Sequence, residues 1–278
     1  MTRQPIISCE LFPPKNASGM QRMQSTVAQL QTRQPAYFSC TYGAGGSTRE
    51  NTFMAVDWLL TQSLEVAPHL TCIANNQEDT LHILRRYQAQ GIRRIVALRG
   101  DRPVDSQPFV QELIHADELV GLIRAHFADH FYIEVAAYPE MHPESAHLAE
   151  DLDHFQRKVE AGADGAITQY FYSIAAYANL LEACAKRQIS VPIIPGIMPI
   201  VNYASLQRFS ARCGAELPRW LRCQLDSYGD DQASIRAFGA DFVAQFCAQL
   251  LAEGAPGLHF YTLNQAEPTL AIWERLTV

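Results

Sequence analysis

Glu10 is a carboxylic acid set inside an apolar stretch of the chain, where an ionised group is poorly solvated. It lies in "IISCELF" (6–12), directly before Pro13 and Pro14, which have no backbone N–H and end the predicted strand. Burial raises the pKa of such a carboxyl, and a protonated carboxyl near neutral pH can serve as a general acid. The alternative is a structural carboxylate held by backbone N–H groups or a cation.

Polar side chains also occur near the ends of six further apolar runs. In "ALRGD", Arg99 suits a phosphate or carboxylate and Gly100 allows close approach of a ligand, although an Arg99–Asp101 surface pair is the alternative. If the runs are parallel strands, their carboxyl ends share one face of the sheet. Seven strands that each end in polar side chains indicate an active site on that face. The polar residues are Glu10, Thr41, Tyr42, His69, Arg99, Asp101, Tyr138, Glu140, Gln169, Tyr261, Thr262 and Asn264.

Three other patterns carry less functional information. "TYGAGGSTRENT" has Thr48 where a dinucleotide loop needs its third glycine, so we predict a turn with Ser47 or Thr48 as a helix N-cap. His69 and His142 could bind a metal with Glu10 or Asp101, but the chain has no tight ligand motif. His126 and His130 are predicted to share a solvated helix face and receive no role.

Eight short and nearly continuous apolar runs are typical of strands that are covered on both faces. They alternate with helical patterns, which predicts a parallel sheet, and eight repeats indicate a single (β/α)₈ barrel domain over residues 1–278. Residues 199–257 leave room for extra helices on the face that carries the site. The eight runs are 6–12, 37–43, 65–72, 93–100, 132–139, 165–172, 192–199 and 257–264.

Composition limits the function classes. The chain has 278 residues, 48% of them hydrophobic, and a formal net charge of −7, which argues against general binding to nucleic acid or to anionic membranes. No apolar run has the length of a membrane helix, and we find no signal-peptide pattern near the start. The seven cysteines are scattered without a C-x-x-C pair, so we expect reduced thiols and a cytoplasmic protein.

Taken together, eight segments resemble methylenetetrahydrofolate reductases of the bacterial type that consists of the catalytic domain alone. The resemblance covers almost the whole chain. It implies a (β/α)₈ flavoprotein with noncovalent FAD, which NADH or NADPH reduces before methylenetetrahydrofolate enters the same cleft and accepts the hydride. A ping-pong scheme of this kind needs no separate Rossmann domain. The segments are "ELFPPK", "TYGAGGS", "APHLTC", "GIRRIVALRGD", "AAYPEMHPE", "RKVEAGADGAITQYFY", "IIPGIMPI" and "HFYTLNQAE".

The resemblance also implies roles for individual residues. Glu10 matches the general acid that assists ring opening at N10 of the folate, and Asp101 matches a residue between flavin and pterin. Gln169, Phe209, Tyr261 and Gln265 fall on the substrate side. Lys158, by its helical context alone, would be a solvated cation; the resemblance makes it a flavin ligand. The positions that match the flavin shell are Thr41, His69, Arg99, Gly100, Asp101, Tyr138, His142, Asp151 and Lys158.

Three positions depart from the family pattern, and two other function classes remain open. Gln265 stands where a bacterial member has Arg, His115 where it has a flavin-contacting Tyr, and Ser205 where it has Gln. The alternatives are a metal-dependent barrel hydrolase or lyase and a non-catalytic folate- or flavin-binding barrel. The resemblance further implies a homo-oligomer that functions in one-carbon metabolism and methionine biosynthesis.

Overall fold

The protein is a nearly closed barrel of parallel strands surrounded by helices, as seen in a computed structural model that describes residues 4–42, 46–72, 76–100 and 113–276. All eight predicted runs contain strand, which confirms the predicted (β/α)₈ architecture. The strands are β1 (Ile6–Leu11), β2 (Tyr37–Cys40), β3 (Val66–Thr71), β4 (Arg94–Leu98), β5 (Tyr132–Ala137), β6 (Gly165–Thr168), β7 (Ile193–Ile194), β8 (Gly196–Ile197) and β9 (Gly257–Tyr261).

The seventh run is divided into β7 and β8, and it closes the barrel. The strand order is β7-β6-β5-β4-β3-β2-β1-β9-β8, so β7 pairs with β6 while β8 pairs with β9. Pro195 lies between the two short strands and has no N–H to donate, but its carbonyl accepts a hydrogen bond of 3.0 Å from the His259 N–H. Gly196 follows, where a Cβ atom would lie 2.1 Å from the Thr168 carbonyl oxygen. Only glycine fits this closing segment.

Helices cover the outside of the barrel where the sequence predicts them. Gly91 and Gly162 follow α3 and α5 with φ angles of +80° and +114°, which confirms them as helix-ending glycines. The helices are α1 (Ala17–Gln31), α2 (Gly46–Thr61), α3 (Gln77–Ala89), α4 (Ala116–Phe127), α5 (Leu148–Glu160), α6 (Ile174–Lys186), α7 (Tyr203–Cys213), α8 (Arg219–Ser227), α9 (Gln232–Ala252) and α10 (Ala266–Trp273).

Two local predictions are wrong. Helix α2 already begins at Gly46, so Ser47 and Thr48 lie in its first turn instead of capping it. Helix α4 ends at Phe127, so His130 does not share a helix face with His126. The His130 ring instead contacts the Ile92 carbonyl and the Arg93 guanidinium, with atom separations of 3.1 and 2.8 Å. These interactions fix a turn before β5 and give His130 a structural role.

A charged cluster crosses the lumen near the amino ends of the strands. Glu134 on β5 is fully buried; its carboxylate lies 3.1 Å from the Arg94 guanidinium and accepts hydrogen bonds of 2.9 and 3.0 Å from the Tyr37 hydroxyl. Arg94 also stacks over the Tyr37 and Tyr132 rings. Buried carboxylates are stable only when paired in this way. The cluster therefore links β2, β4 and β5 across the base of the barrel.

No helix among the described residues is both long enough and apolar enough to cross a bilayer. None of the seven cysteines forms a disulfide, and Cys9, Cys40, Cys72, Cys184 and Cys247 are buried, consistent with the predicted reduced thiols.

Candidate active site

A cavity of about 520 Å³ lies at the carboxyl ends of the strands, the face on which barrel enzymes place their chemistry. The strand-end rule predicted most of its polar wall. Helix α7, from the extra segment after β8, completes the rim with Phe209. Of the predicted site residues, the cavity brings together Glu10, Thr41, His69, Arg99, Gly100, Tyr138, His142, Gln169, Phe209 and Tyr261.

Glu10 occupies the inner face of β1 and is 9% exposed. Burial raises the pKa of its carboxyl from 4.5 to about 8. Its backbone carbonyl accepts a 2.6 Å hydrogen bond from the Thr262 hydroxyl, which ties β1 to the end of β9. At neutral pH the side chain therefore holds a proton, as a general acid must.

Two histidines, His69 and His259, line the same cavity as Glu10, and neither supplies a positive charge. Burial lowers the pKa of His69 and of His259 to about 3. His69 Nε2 lies 3.7 Å from the Glu10 carboxyl, which is too long for a hydrogen bond and joins two neutral groups instead of an ion pair. Buried His69 Nε2 has no hydrogen-bond partner. A bound ligand could therefore form a hydrogen bond with this nitrogen.

A second chamber of about 430 Å³ adjoins the first. Its wall includes Asp151, His154 and Lys158 of α5 and His115 at the start of α4. Arg99 lies at the junction, where its guanidinium makes two parallel hydrogen bonds of 2.7 and 2.8 Å to Glu144. The residues common to both walls are Leu98, Arg99, Gly100, Ala136, Tyr138, His142 and Glu144. One elongated ligand could therefore occupy both chambers.

Lys158 is not the solvated cation that its helical context suggests. Its Nζ donates a 2.5 Å hydrogen bond to the Ala136 carbonyl, and loss of hydration lowers its pKa to about 8. Nearby, the Asp151 carboxylate accepts hydrogen bonds of 3.3 Å from the His142 N–H and the Ser145 hydroxyl. Because Asp151 holds this loop and Lys158 points inward, α5 supplies both a fixed wall and a positive charge.

Two predicted site residues are not placed in the cavity wall. Gln265 is exposed at the N-terminus of α10 and is absent from the described wall. Asp101 lies outside the described residues, so its predicted position between two ligands stays a prediction. Ser205 donates its backbone N–H to the Asn202 side chain at the start of α7.

Sequence reasoning missed three contributors to the site. His259 could have been found, since it precedes Tyr261 by two residues on β9 and so shares its inward face. Glu144 could not be assigned, because its partner Arg99 is 45 residues away and no local signal joins them. Arg212 lies on α7, whose docking onto the barrel could not be derived from periodicity alone.

Within the parts of the chain that the structure describes, no three His, Cys, Asp or Glu side chains are placed to share a metal ion. The metal-dependent alternative therefore draws no support from His69, His142 and Glu10. Asp101, its fourth candidate ligand, is outside these residues.

A model of the methylenetetrahydrofolate reductase family matches residues 1–277. The chain belongs to the methylenetetrahydrofolate reductase family. The 5,10-methylenetetrahydrofolate reductases of Escherichia coli and Salmonella typhimurium are 38% and 37% identical to it over 273 residues, which cover 98% of this chain and 90% of each relative. Methylenetetrahydrofolate reductase (NADH) 1 of Arabidopsis thaliana is 35% identical over 282 residues, covering 97% of this chain and 48% of the plant protein.

A solved structure agrees with the fold of this reductase family member. A Clostridium thermocellum protein described as binding two copies of 5-methyl-5,6,7,8-tetrahydrofolic acid aligns with a TM-score of 0.70 and 16% sequence identity. The alignment covers 98% of this chain and 95% of that one. At this identity the likeness supports the barrel architecture alone.

Proposed function

We propose that this protein reduces 5,10-methylenetetrahydrofolate to 5-methyltetrahydrofolate, with NAD(P)H as electron donor and noncovalently bound FAD as cofactor. The observation that carries the proposal is Glu10: a buried carboxyl with a pKa of about 8, at the base of a strand-end cavity, in a member of this family. NADH is expected in preference to NADPH by analogy with bacterial members.

The residues of the two chambers fit FAD. A dinucleotide is long and carries two phosphate charges, and the chambers are continuous, with Arg99 at their junction and Lys158 in the second. The unpartnered His69 Nε2 offers a further polar contact. We assign cofactor binding to Thr41, His69, Arg99, Gly100, Asp101, Tyr138, His142, Asp151 and Lys158. When bound, FAD would take a hydride from NAD(P)H and pass it to the methylene carbon of the folate, so the two substrates use the cavity in turn.

Glu10 would supply the proton that this reduction consumes. Its carboxyl donates to N10 of the folate while the bond between N10 and the methylene carbon breaks, leaving a 5-iminium cation that accepts the hydride. One proton and one hydride together convert the methylene group into the methyl product. Gln169, Tyr261, Phe209 and Gln265 are assigned to substrate binding, and Asp101 to the space between pterin and cofactor.

Anaerobic spectroscopy tests the proposal. The purified protein should contain flavin whose visible absorption bleaches on addition of NADH and returns on addition of methylenetetrahydrofolate. Flavin that neither substrate changes would favour a binding protein instead. A colourless protein that cannot be reconstituted with FAD and contains stoichiometric zinc would favour a hydrolase or lyase.

The pH dependence of the folate-reducing half-reaction should report the Glu10 carboxyl. Only the protonated acid is active, so the rate should be constant below pH 8 and fall about tenfold per unit well above the pKa of about 8. Stopped-flow measurement of flavin reoxidation from pH 4 to 10 would show this. A rate that already falls between pH 4 and 6, where an ordinary glutamate ionises, would contradict it.

We also propose a cytoplasmic homo-oligomer. Unpaired and mostly buried cysteines suit a reducing compartment, and oligomerisation is the expectation from the family.

A further inference from the structure

The turn that follows β9 has an unusual backbone. It spans residues 262–265 and is closed by a 2.9 Å hydrogen bond from the Gln265 N–H to the Thr262 carbonyl. Both of its central residues are left-handed, with φ angles of +52° at Leu263 and +54° at Asn264. Asparagine tolerates this conformation, whereas leucine rarely adopts it. A leucine held in this way indicates that neighbouring contacts impose the turn.

The side chain of Asn264 supplies the first of these contacts. Its Oδ1 accepts a 2.8 Å hydrogen bond from the Phe12 N–H, and its Nδ2 donates a 2.9 Å hydrogen bond to the Phe12 carbonyl. The N–H needs an acceptor and the carbonyl a donor, so this arrangement also fixes the orientation of the amide. Phe12 directly follows β1. We call this pair of hydrogen bonds the Asn264 clamp.

Two threonine hydroxyls hold the same turn. The Thr262 hydroxyl, which donates to the Glu10 carbonyl, also accepts a 3.2 Å hydrogen bond from the Asn264 N–H. On α1, the buried Thr26 hydroxyl donates a 2.9 Å hydrogen bond to the Asn264 carbonyl. The backbone pairing of β1 with β9 ends at Glu10 and Tyr261. Beyond that point, side chains connect the two segments as they reach the cavity.

The clamp positions two apolar side chains of the cavity wall. Phe12 and Leu263 both line the cavity that contains Glu10. Phe12 comes two residues after Glu10, and Leu263 two residues after Tyr261, so each lies on the mouth side of an inward-facing residue. Because the clamp joins Phe12 to the residue after Leu263, it fixes the spacing between these two side chains.

The protonation of Glu10 depends on the exclusion of water. Burial alone raises the pKa of its carboxyl. The titratable side chains near it on β2, β3 and β9 carry no charge at neutral pH, because burial raises the pKa of Cys40 and Tyr261 and lowers that of His69 and His259 to about 3. The apolar groups around the carboxyl therefore decide whether it keeps its proton.

We infer that Asn264 is a positioning residue, which holds Phe12 and Leu263 together through its clamp as the apolar cover that excludes water from Glu10. The inference rests on the proposed function, because Glu10 acts as an acid only in that reaction. Asn264 itself is absent from the described walls of both chambers. It therefore acts through the residues that it holds and not by contact with substrate or cofactor.

The test compares Asn264→Gly with Gln188→Gly in the full-length protein. Glycine adopts a positive φ without steric cost, so Asn264→Gly removes the clamp and keeps the turn. Gln188 has a φ of +60°, lies between α6 and β7 and is absent from both described walls, so Gln188→Gly is a matched loss of an amide side chain.

Two measurements are made on each protein. Infrared spectroscopy without substrate follows the protonated Glu10 carboxyl against pH, as the difference from the same protein carrying Glu10→Gln. Stopped-flow absorbance follows flavin reoxidation by methylenetetrahydrofolate against pH. The first measurement reports the carboxyl itself, and the second reports its use as an acid.

We expect Asn264→Gly to lower the midpoint of the Glu10 titration by about one pH unit, because water then reaches the ionised carboxylate. Flavin reoxidation should be about tenfold slower than in the wild type at pH 9 and within about twofold of it at pH 6. Gln188→Gly should match the wild type in both measurements.

An Asn264→Gly protein whose Glu10 titrates as in the wild type would overturn the inference, as would an equal shift in Gln188→Gly. If Asn264→Gly does not fold, Thr262→Val decides, since it removes the hydroxyl that joins the turn to Glu10 at nearly constant size. We expect a shift of about half a pH unit in the same direction, and no shift would refute the inference. If the infrared shift occurs but methylenetetrahydrofolate does not reoxidise the wild-type flavin, the clamp stands and the proposed function fails.

Discussion

Replacing Glu10 by glutamine is expected to slow methylenetetrahydrofolate reduction by about 10²–10⁴-fold, while flavin reduction by NADH stays within about threefold of wild type. Glutamine has nearly the same size and polarity, so the shape of the cavity is kept. It has no acidic proton to give to N10, whereas hydride transfer from NADH needs none from this position. Stopped-flow absorbance measures the two half-reactions separately.

Glu134→Gln is a matched control for this substitution. Glu134 is a second buried glutamate of the lumen, but it lies in the Arg94–Tyr37 cluster at the opposite end of the strands. Its replacement should lower stability and leave the ratio of the two half-reaction rates unchanged. A Glu10→Gln enzyme that loses both half-reactions equally would show that Glu10 shapes the cavity instead of supplying a proton.

Gly196→Ala is expected to destabilise the protein by roughly 3 kcal/mol or more, or to prevent recovery of folded protein. The added methyl carbon would lie 2.1 Å from the Thr168 carbonyl oxygen and 2.6 Å from the Tyr261 ring. Thr168 lies in β6 and Tyr261 lies in β9. Neither residue can move away without disturbing the strand pairing where the barrel closes. The thermal unfolding midpoint should fall by more than about 6 °C.

Gly121→Ala makes the same chemical change, but we expect it to raise the stability of the protein instead of lowering it. Gly121 lies inside α4, and a Cβ atom there would meet nothing within 4 Å. Alanine should therefore raise stability by about 0.5–1 kcal/mol through its better helix propensity. If both variants unfold at the wild-type temperature, the close approach at Gly196 does not constrain the fold.

Most of the barrel could be predicted because its strands are buried on both faces and read as continuous apolar runs. Helix α8 could not, since only Leu221 and Leu225 of its nine residues are buried and its pattern is correspondingly weak. The division of the seventh strand was also missed. Pro195 signals an interruption, but the pairing of each half with a different neighbour depends on closure of the whole sheet.

The candidate site was predictable where a residue's position on a strand decides its direction. Glu10, His69 and Tyr261 all follow from strand ends on one face. The burial of Lys158 could not be predicted from the helical pattern of α5, because tertiary packing decides how closely α5 approaches β5. The bidentate Arg99–Glu144 pair joins a strand end to a loop, and no sequence period connects them.

The charged cluster at the amino ends of the strands bears on the proposed reaction, in which two unlike molecules would enter one cleft. The cluster of Glu134, Arg94 and Tyr37 connects β5, β4 and β2 inside the barrel, and removal of one partner would leave a buried charge unpaired. These three strands therefore form a rigid frame. In the proposed reaction, adjustment between a nicotinamide and a pterin would come from the side chains and connecting segments of the rim, where the exposed ring of Phe209 lines the cavity.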